Sequence, residues 1–152
     1  MNRDKPWLKA RLIIEILGAP EMHVNETLAL VGDKFGADVP EIKVKDIKVR
    51  EAQKVKVGKS DNFYSGFVEI DADFAELSTL IGVIFDWMPS SIEVYEPSQV
   101  SDDLVGLNGV INDLIARLHQ YDKLVKNLKA QNILLERELK KLKPAGKKSS
   151  QA

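Results

Sequence analysis

Cysteine is missing from the 152 residues, which excludes disulfides, thiolate nucleophiles and zinc sites built on thiolates. Histidine is almost missing too: His23 and His119 stand far apart in the chain, so neither a histidine metal site nor an imidazole acid–base pair is expected. No GxxxxGK[ST] and no GxGxxG occurs, which removes the usual phosphate-cradling loops. Serines and threonines have no histidine base at a recognisable spacing. The one apolar run near the start, Leu12 to Leu17, is interrupted by Glu15, so neither a signal peptide nor a membrane span is read there, and a cytoplasmic protein is expected. Together these absences predict a protein that is not an enzyme and needs no cofactor.

Lysine and arginine are missing from residues 60–116, where eleven acidic residues stand unopposed. The opposite holds in residues 43–59, with seven basic residues against two acidic, and in residues 117–152, with ten against three. The net charge of −1 therefore conceals two basic blocks and one acidic block.

The patterning of what is present predicts six elements and then a seventh. WLKARLIIEIL alternates apolar and polar residues, the signature of a strand with one buried face. Asn25 is placed to cap a helix running through Phe35, with Gly36 just past its end. IKVKDIKVREAQKVKV reads as a second strand whose apolar parity slips from even to odd, which predicts a bulge near Lys45 and Asp46. FYSGFVEIDA is a third strand, with Val68 and Ile70 inward. Asp73 and Glu76 resemble a capping box for a second helix that Pro89 ends. SIEVYEP is a short fourth strand. Strand, helix, strand, strand, helix, strand is the ferredoxin-like arrangement, an α+β fold with a four-stranded antiparallel sheet and two helices, expected over residues 1–97. Glu69, Asp71, Asp73 and Glu76 lie close in sequence, but they lack the EF-hand spacing and no metal is expected there.

Residues 98–143 predict a long helix. With Leu104 at a and Leu107 at d, a heptad seam continues through Ile111, Leu114, Leu118, Tyr121, Val125, Leu128, Asn132, Leu135, Leu139 and Leu142. Asn132 is its single polar member. An asparagine at an a position costs stability, but the same residue of a parallel, in-register partner satisfies it, so the seam predicts a parallel two-stranded coiled coil. Arg117 with Asp122 and Glu138 with Lys143 are of opposite sign at g and e′ of such a dimer. Residues 144–152 complete the chain as a basic tail.

Three functional expectations follow. The first is a homodimeric adaptor or assembly protein that binds another protein or a ribonucleoprotein, its heads meeting through Leu80, Ile84, Trp87 and Met88 of the apolar second helix. The second is a nucleic-acid- or ribosome-associated protein using Lys43, Lys45, Lys48, Arg50, Lys54 and Lys56 of the second strand with Lys147 and Lys148 of the tail. The third is a regulatory dimer that senses a small metabolite, as ACT-type domains of this fold do.

At IIEILGAPEMHVNETL, FDWMPSSIEVYEP and ARLHQYDKLVKNLKAQN the chain resembles a group of small archaeal proteins, over residues 11 to 135. The resemblance implies a cytoplasmic archaeal protein with this two-part build, and it assigns no functional residue.

Overall fold

The computed structural model describes residues 5–143. The chain divides into two compact units, Met1–Val110 and Ile111–Ala152. The elements run β1 (Leu8–Gly18), α1 (Glu21–Lys34), β2 (Ile42–Val57), β3 (Ser60–Phe74), α2 (Leu77–Trp87), β4 (Ser91–Glu96) and α3 (Leu104–Leu142). The expected tail, with Lys147 and Lys148, lies outside the described residues.

β1 and β3 form the centre of the head. Leu8, Ala10, Leu12 and Ile14 are buried, as are Val68, Ile70, Ala72 and Phe74, so every second residue of each strand points inward. The antiparallel register sets Leu12 opposite Ile70 and Ile14 opposite Val68, which brings the two apolar sets onto one face. β2 adds to the outer edge of β3 and β4 to the outer edge of β1, giving the antiparallel order β2-β3-β1-β4. This is the ferredoxin-like βαββαβ sheet. Val24, Leu28 and Val31 of α1 and Leu80 and Val83 of α2 close the core over that face. Phe35 meets Trp87 at the helix ends, ring centroids 5.2 Å apart and tilted by 57°. Each fully buried side chain of this size contributes about 1.5–3 kcal/mol.

The parity slip in β2 is a bulge: the register with β3 shifts between Val44 and Asp46, and again between Arg50 and Gln53. At the second shift Ala52 turns inward while its neighbours stay exposed. The third strand starts earlier than expected, at Ser60, so only Gly58 and Lys59 form the hairpin turn, with Gly58 at φ +59°.

Both head helices start differently from expectation. α1 begins at Glu21 behind Pro20, one turn before Asn25, whose side-chain oxygen instead accepts the backbone N–H of Ala52 at 2.8 Å. α2 begins at Leu77, and Glu76 at its N-cap makes no side-chain capping bond. Asp73 stays in β3, because burying Phe74 completely in the sheet outweighs starting the helix earlier. Gly36 does follow the end of α1 with φ +67°, the left-handed conformation expected there.

α3 starts at Leu104, six residues later than the expected residue 98, because Asp103 caps it there. Asp103 Oδ1 accepts the Gly106 N–H at 2.7 Å, a capping bond from one turn ahead. At Gly106 a Cβ would lie 2.6 Å from the Asp102 carboxylate oxygens, so the exposed Asp102 side chain would have to turn aside, whereas one at Gly109 would meet nothing within 4 Å.

Candidate functional site

The face of the sheet opposite the helices carries the side chains the core does not use, and the register arranges them in rows. Lys43 and Lys9 flank Asp73, Asp46 and Arg11 flank Asp71, Lys48 and Ile13 flank Glu69, and Arg50 and Glu15 flank Phe67. On the other side of β1, Glu93 lies opposite Arg11 and Glu96 opposite Lys9. The strands therefore present alternating charge. β4 is anionic through Glu93 and Glu96, β1 cationic through Lys9 and Arg11, β3 anionic through Glu69, Asp71 and Asp73, and β2 cationic through Lys43, Lys45, Lys48 and Arg50. Glu15 on β1 and Asp46 on β2 are the exceptions.

Neighbouring stripes pair. The Lys9 ammonium lies 2.9 Å from Glu96. The Arg11 guanidinium reaches both Asp71 oxygens at 3.2 and 3.3 Å and Glu69 at 3.5 Å. Lys45 lies 3.6 Å from Asp73, whereas Lys48 pairs within its own strand, 3.7 Å from Asp46. Bonds to Glu96 and to Asp71 hold Lys9 and Arg11 above their ordinary pKa ranges. Lys43 sits over the Trp7 ring at 4.0 Å from its centroid. Glu15 accepts the Ser65 hydroxyl at 2.7 Å.

This geometry bears on the second strand as a phosphate-binding stripe. Lys43, Lys45 and Lys48 each face a carboxylate or an indole of the same chain, so a phosphate would compete with existing partners. Arg50 stands opposite Phe67, which supplies from β3 the exposed aromatic that β2 lacks. Lys54 and Lys56 are exposed on the outer half of the β2–β3 hairpin.

The four residues expected on a head interface separate. Leu80 is only 4% exposed and belongs to the head's own core. Ile84 and Trp87 are half-buried, and Trp87 is engaged with Phe35. Met88 ends α2 in the left-handed conformation and is 67% exposed.

In α3 no residue is buried over its 39 positions. At ~1.5 Å per residue such a helix is about 58 Å long. The seam residues Leu104, Leu107, Ile111, Leu118, Tyr121, Val125, Leu128, Leu135, Leu139 and Leu142 are all exposed, Leu139 by 59%. Leu114 is half-buried and Asn132 exposed. The charges beside the seam have partners within the helix: Arg117 lies 3.1 Å from Asp113 and Lys126 lies 2.7 Å from Asp122, both one turn apart.

The head also holds a cavity of about 660 Å³ between the entry to β1, the β3–α2 turn and the start of α3. Trp7, Leu77 and Val100 line it with Lys5, Glu76 and Asp102. Lys5 Nζ lies 2.7 Å from Asp102, and this bond raises the lysine pKa and lowers that of the carboxyl. For a metabolite-sensing head the sequence suggests the stretch GAPEMHVN as the neighbour of a pocket, but from Glu21 that stretch is helix α1 and it does not line this cavity, while nothing local in the sequence joins residues 5, 76 and 102. The alternating stripes were within reach: acidic residues at every second position of β3 and basic ones on β2 face each other once the strand order is fixed.

The sequence profile of the MJ0538 family matches residues 9–144, spanning the sheet, both head helices and α3. The chain belongs to the MJ0538 family. No curated protein and no solved structure matches it. Like the fold, MJ0538 membership covers head and helix together. Among the described residues no helix is long and apolar enough to cross a membrane, and no group of three His, Asp or Glu side chains is placed to hold a metal ion.

Proposed function

We propose that this MJ0538 protein is a non-catalytic homodimer, an adaptor or assembly protein whose α3 pairs in parallel with α3 of a second copy. The observation that carries the proposal is the exposure of the apolar seam from Ile111 to Leu142 along a helix with no buried residue. A single helix leaving so many leucines in water is expected to bury them against a partner. Asn132, the one polar seam residue, favours two parallel strands in register, because each amide then meets its counterpart. Paired helices would hold two heads with charged faces at one end, which suits bridging macromolecules.

The proposal includes residues 98–143 as the dimerising segment, the macromolecular partner as protein or ribonucleoprotein, and the archaeal, cytoplasmic setting that the resemblance implies. The chain's freedom from cysteine permits a direct test. In a Leu139→Cys variant, a parallel in-register dimer forms a disulfide between equivalent positions under mild oxidation, and an antiparallel or monomeric helix does not. For the partner, capture from native lysate with and without nuclease is decisive: proteins retained after nuclease support the adaptor, and loss of every partner with nuclease contradicts it in favour of nucleic-acid association.

A further inference from the structure

The open face of the sheet has the symmetry of a self-complementary surface. Its stripes run parallel to the strands in the order β4 anionic, β1 cationic, β3 anionic, β2 cationic. Two copies of such a face can stack about a twofold axis in several ways, and charge separates them. An axis across the strands lays every strand over its own copy, like charge on like. An axis along the strands and through β3 lays β1 over β2 and β3 over β3, again like on like. An axis along the strands and between β1 and β3 lays β1 over the partner's β3 and β4 over the partner's β2, so that Lys9 meets Asp73, Arg11 meets Asp71 and Glu96 meets Lys43, with Glu93 over Asp46 the one like-charge pair.

The same axis accounts for the apolar residues of this face. Ile13, Leu17 and Phe67 lie on β1 or β3, the two strands beside it, with Leu17 and Phe67 exposed by 53% and 38%, while Val55 on β2 and Tyr95 on β4 lie further from the axis. Packed faces of sheets lie about 10 Å apart with strands nearly aligned, a spacing that long lysine, arginine and glutamate side chains bridge.

We infer that the open sheet face is a second contact between two copies of this chain, formed about a twofold axis parallel to the strands and passing between β1 and β3. The inference extends the homodimer proposed above but stands on the charge stripes, which are independent of the coil. Exposed ion pairs contribute little affinity, so this contact sets how the heads face each other while α3 supplies the association. Lys9 and Arg11 exchange part of their pairing within the chain for the partner's Asp73 and Asp71. Glu15 and Asp46 interrupt the pattern without reversing it.

The test uses the full chain with one introduced cysteine. Leu17→Cys lies on β1 beside the axis, and Met22→Cys lies on α1 at the start of the helical side, 69% exposed. A short bismaleimide is expected to join Leu17→Cys chains in high yield at low salt and Met22→Cys chains only at background. The Leu17→Cys yield should fall several-fold in about 1 M salt, where charges are screened beyond about 3 Å. Sedimentation of the same samples separates the two proposals. Dimers without preferential Leu17→Cys linkage overturn the sheet contact and leave the coil standing; monomers without linkage overturn both. A charge-swap pair gives a second readout after folding is checked by circular dichroism. Chains carrying Lys9→Glu with Arg11→Glu, and chains carrying Asp71→Lys with Asp73→Lys, should each link poorly alone and link when mixed. Equal linkage alone and mixed contradicts the stripe alignment.

Discussion

The side-chain oxygen of Asn25, one turn into α1, accepts the backbone N–H of Ala52 at 2.8 Å, and Ala52 sits at the bulge where β2 loses register with β3. A bulge leaves backbone groups without their ladder partners, and here a helix supplies the missing acceptor in a half-buried place. Removing it with Asn25→Ala is expected to cost about 1–3 kcal/mol, the range for a buried donor left unsatisfied. Asn25→Asp keeps an acceptor and should lose less. Urea denaturation of the three chains checks the order, and equal midpoints would show that the bond contributes nothing.

Gly66 lies against the same bulge. A Cβ there would meet Leu28 Cδ1 at 2.4 Å, Arg50 O at 2.7 Å and Ala52 N at 3.1 Å, two of them backbone. Gly66→Ala is therefore expected to destabilise the head by at least about 1–3 kcal/mol, the usual cost of overpacking. Gly109→Ala should do the reverse, gaining roughly 0.4–1 kcal/mol, since its Cβ enters open space in a helix. Thermal melts of both variants should move in opposite directions.

The Lys5–Asp102 pair makes the junction before α3 sensitive to acid. The Asp102 carboxyl is held below its ordinary value of 3.8 by the Lys5 bond first and the Asp103 N–H second. A lowered folded-state pKa means its contribution is present above the unfolded value and lost as pH falls through the folded one. Stability should thus drop below about pH 4 more in the native chain than in Asp102→Asn, as thermal melts at pH 3 and pH 6 would show. Lys5, raised from 10.5, acts at the other end: its contribution holds below that value and is lost as pH rises through the folded one. Both groups are exposed, so the effect should be small and weakened by salt.

Asn132→Val should raise the melting temperature while relaxing the number or direction of paired helices, because a β-branched residue packs the seam better but no longer penalises misregistered states. Sedimentation velocity should then show more than one species where the native chain shows one. An unchanged single species would show that the amide does not select the assembly.

What the sequence made legible was whatever depends on nearby residues. Alternation exposed β1 and the inward set of β3, the parity slip located the bulge at Lys45 and Asp46, and Gly36 marked the end of α1. Asn25 and Asp73 misled for one reason: both are residues that cap helices locally, yet distant groups claim them, the Ala52 amide in one case and the sheet beside buried Phe74 in the other. The facing stripes of β2 and β3, with Lys45 beside Asp73, follow from their hairpin and were within reach, but the alternation across all four strands stayed hidden because it requires the strand order, which no local pattern contains. The cavity by Lys5 and Asp102 stayed hidden for the same reason, being assembled from three separated segments. The apolar heptad of α3 was readable because its period lies within a single helix.

The most direct test of the central proposal is the mass of the native chain in solution, measured by sedimentation equilibrium at micromolar concentration. The account predicts a single species of twice 17.0 kDa, unchanged when the head contact is screened by salt. A species of 17.0 kDa, with the seam from Leu104 to Leu142 left in water, would contradict it.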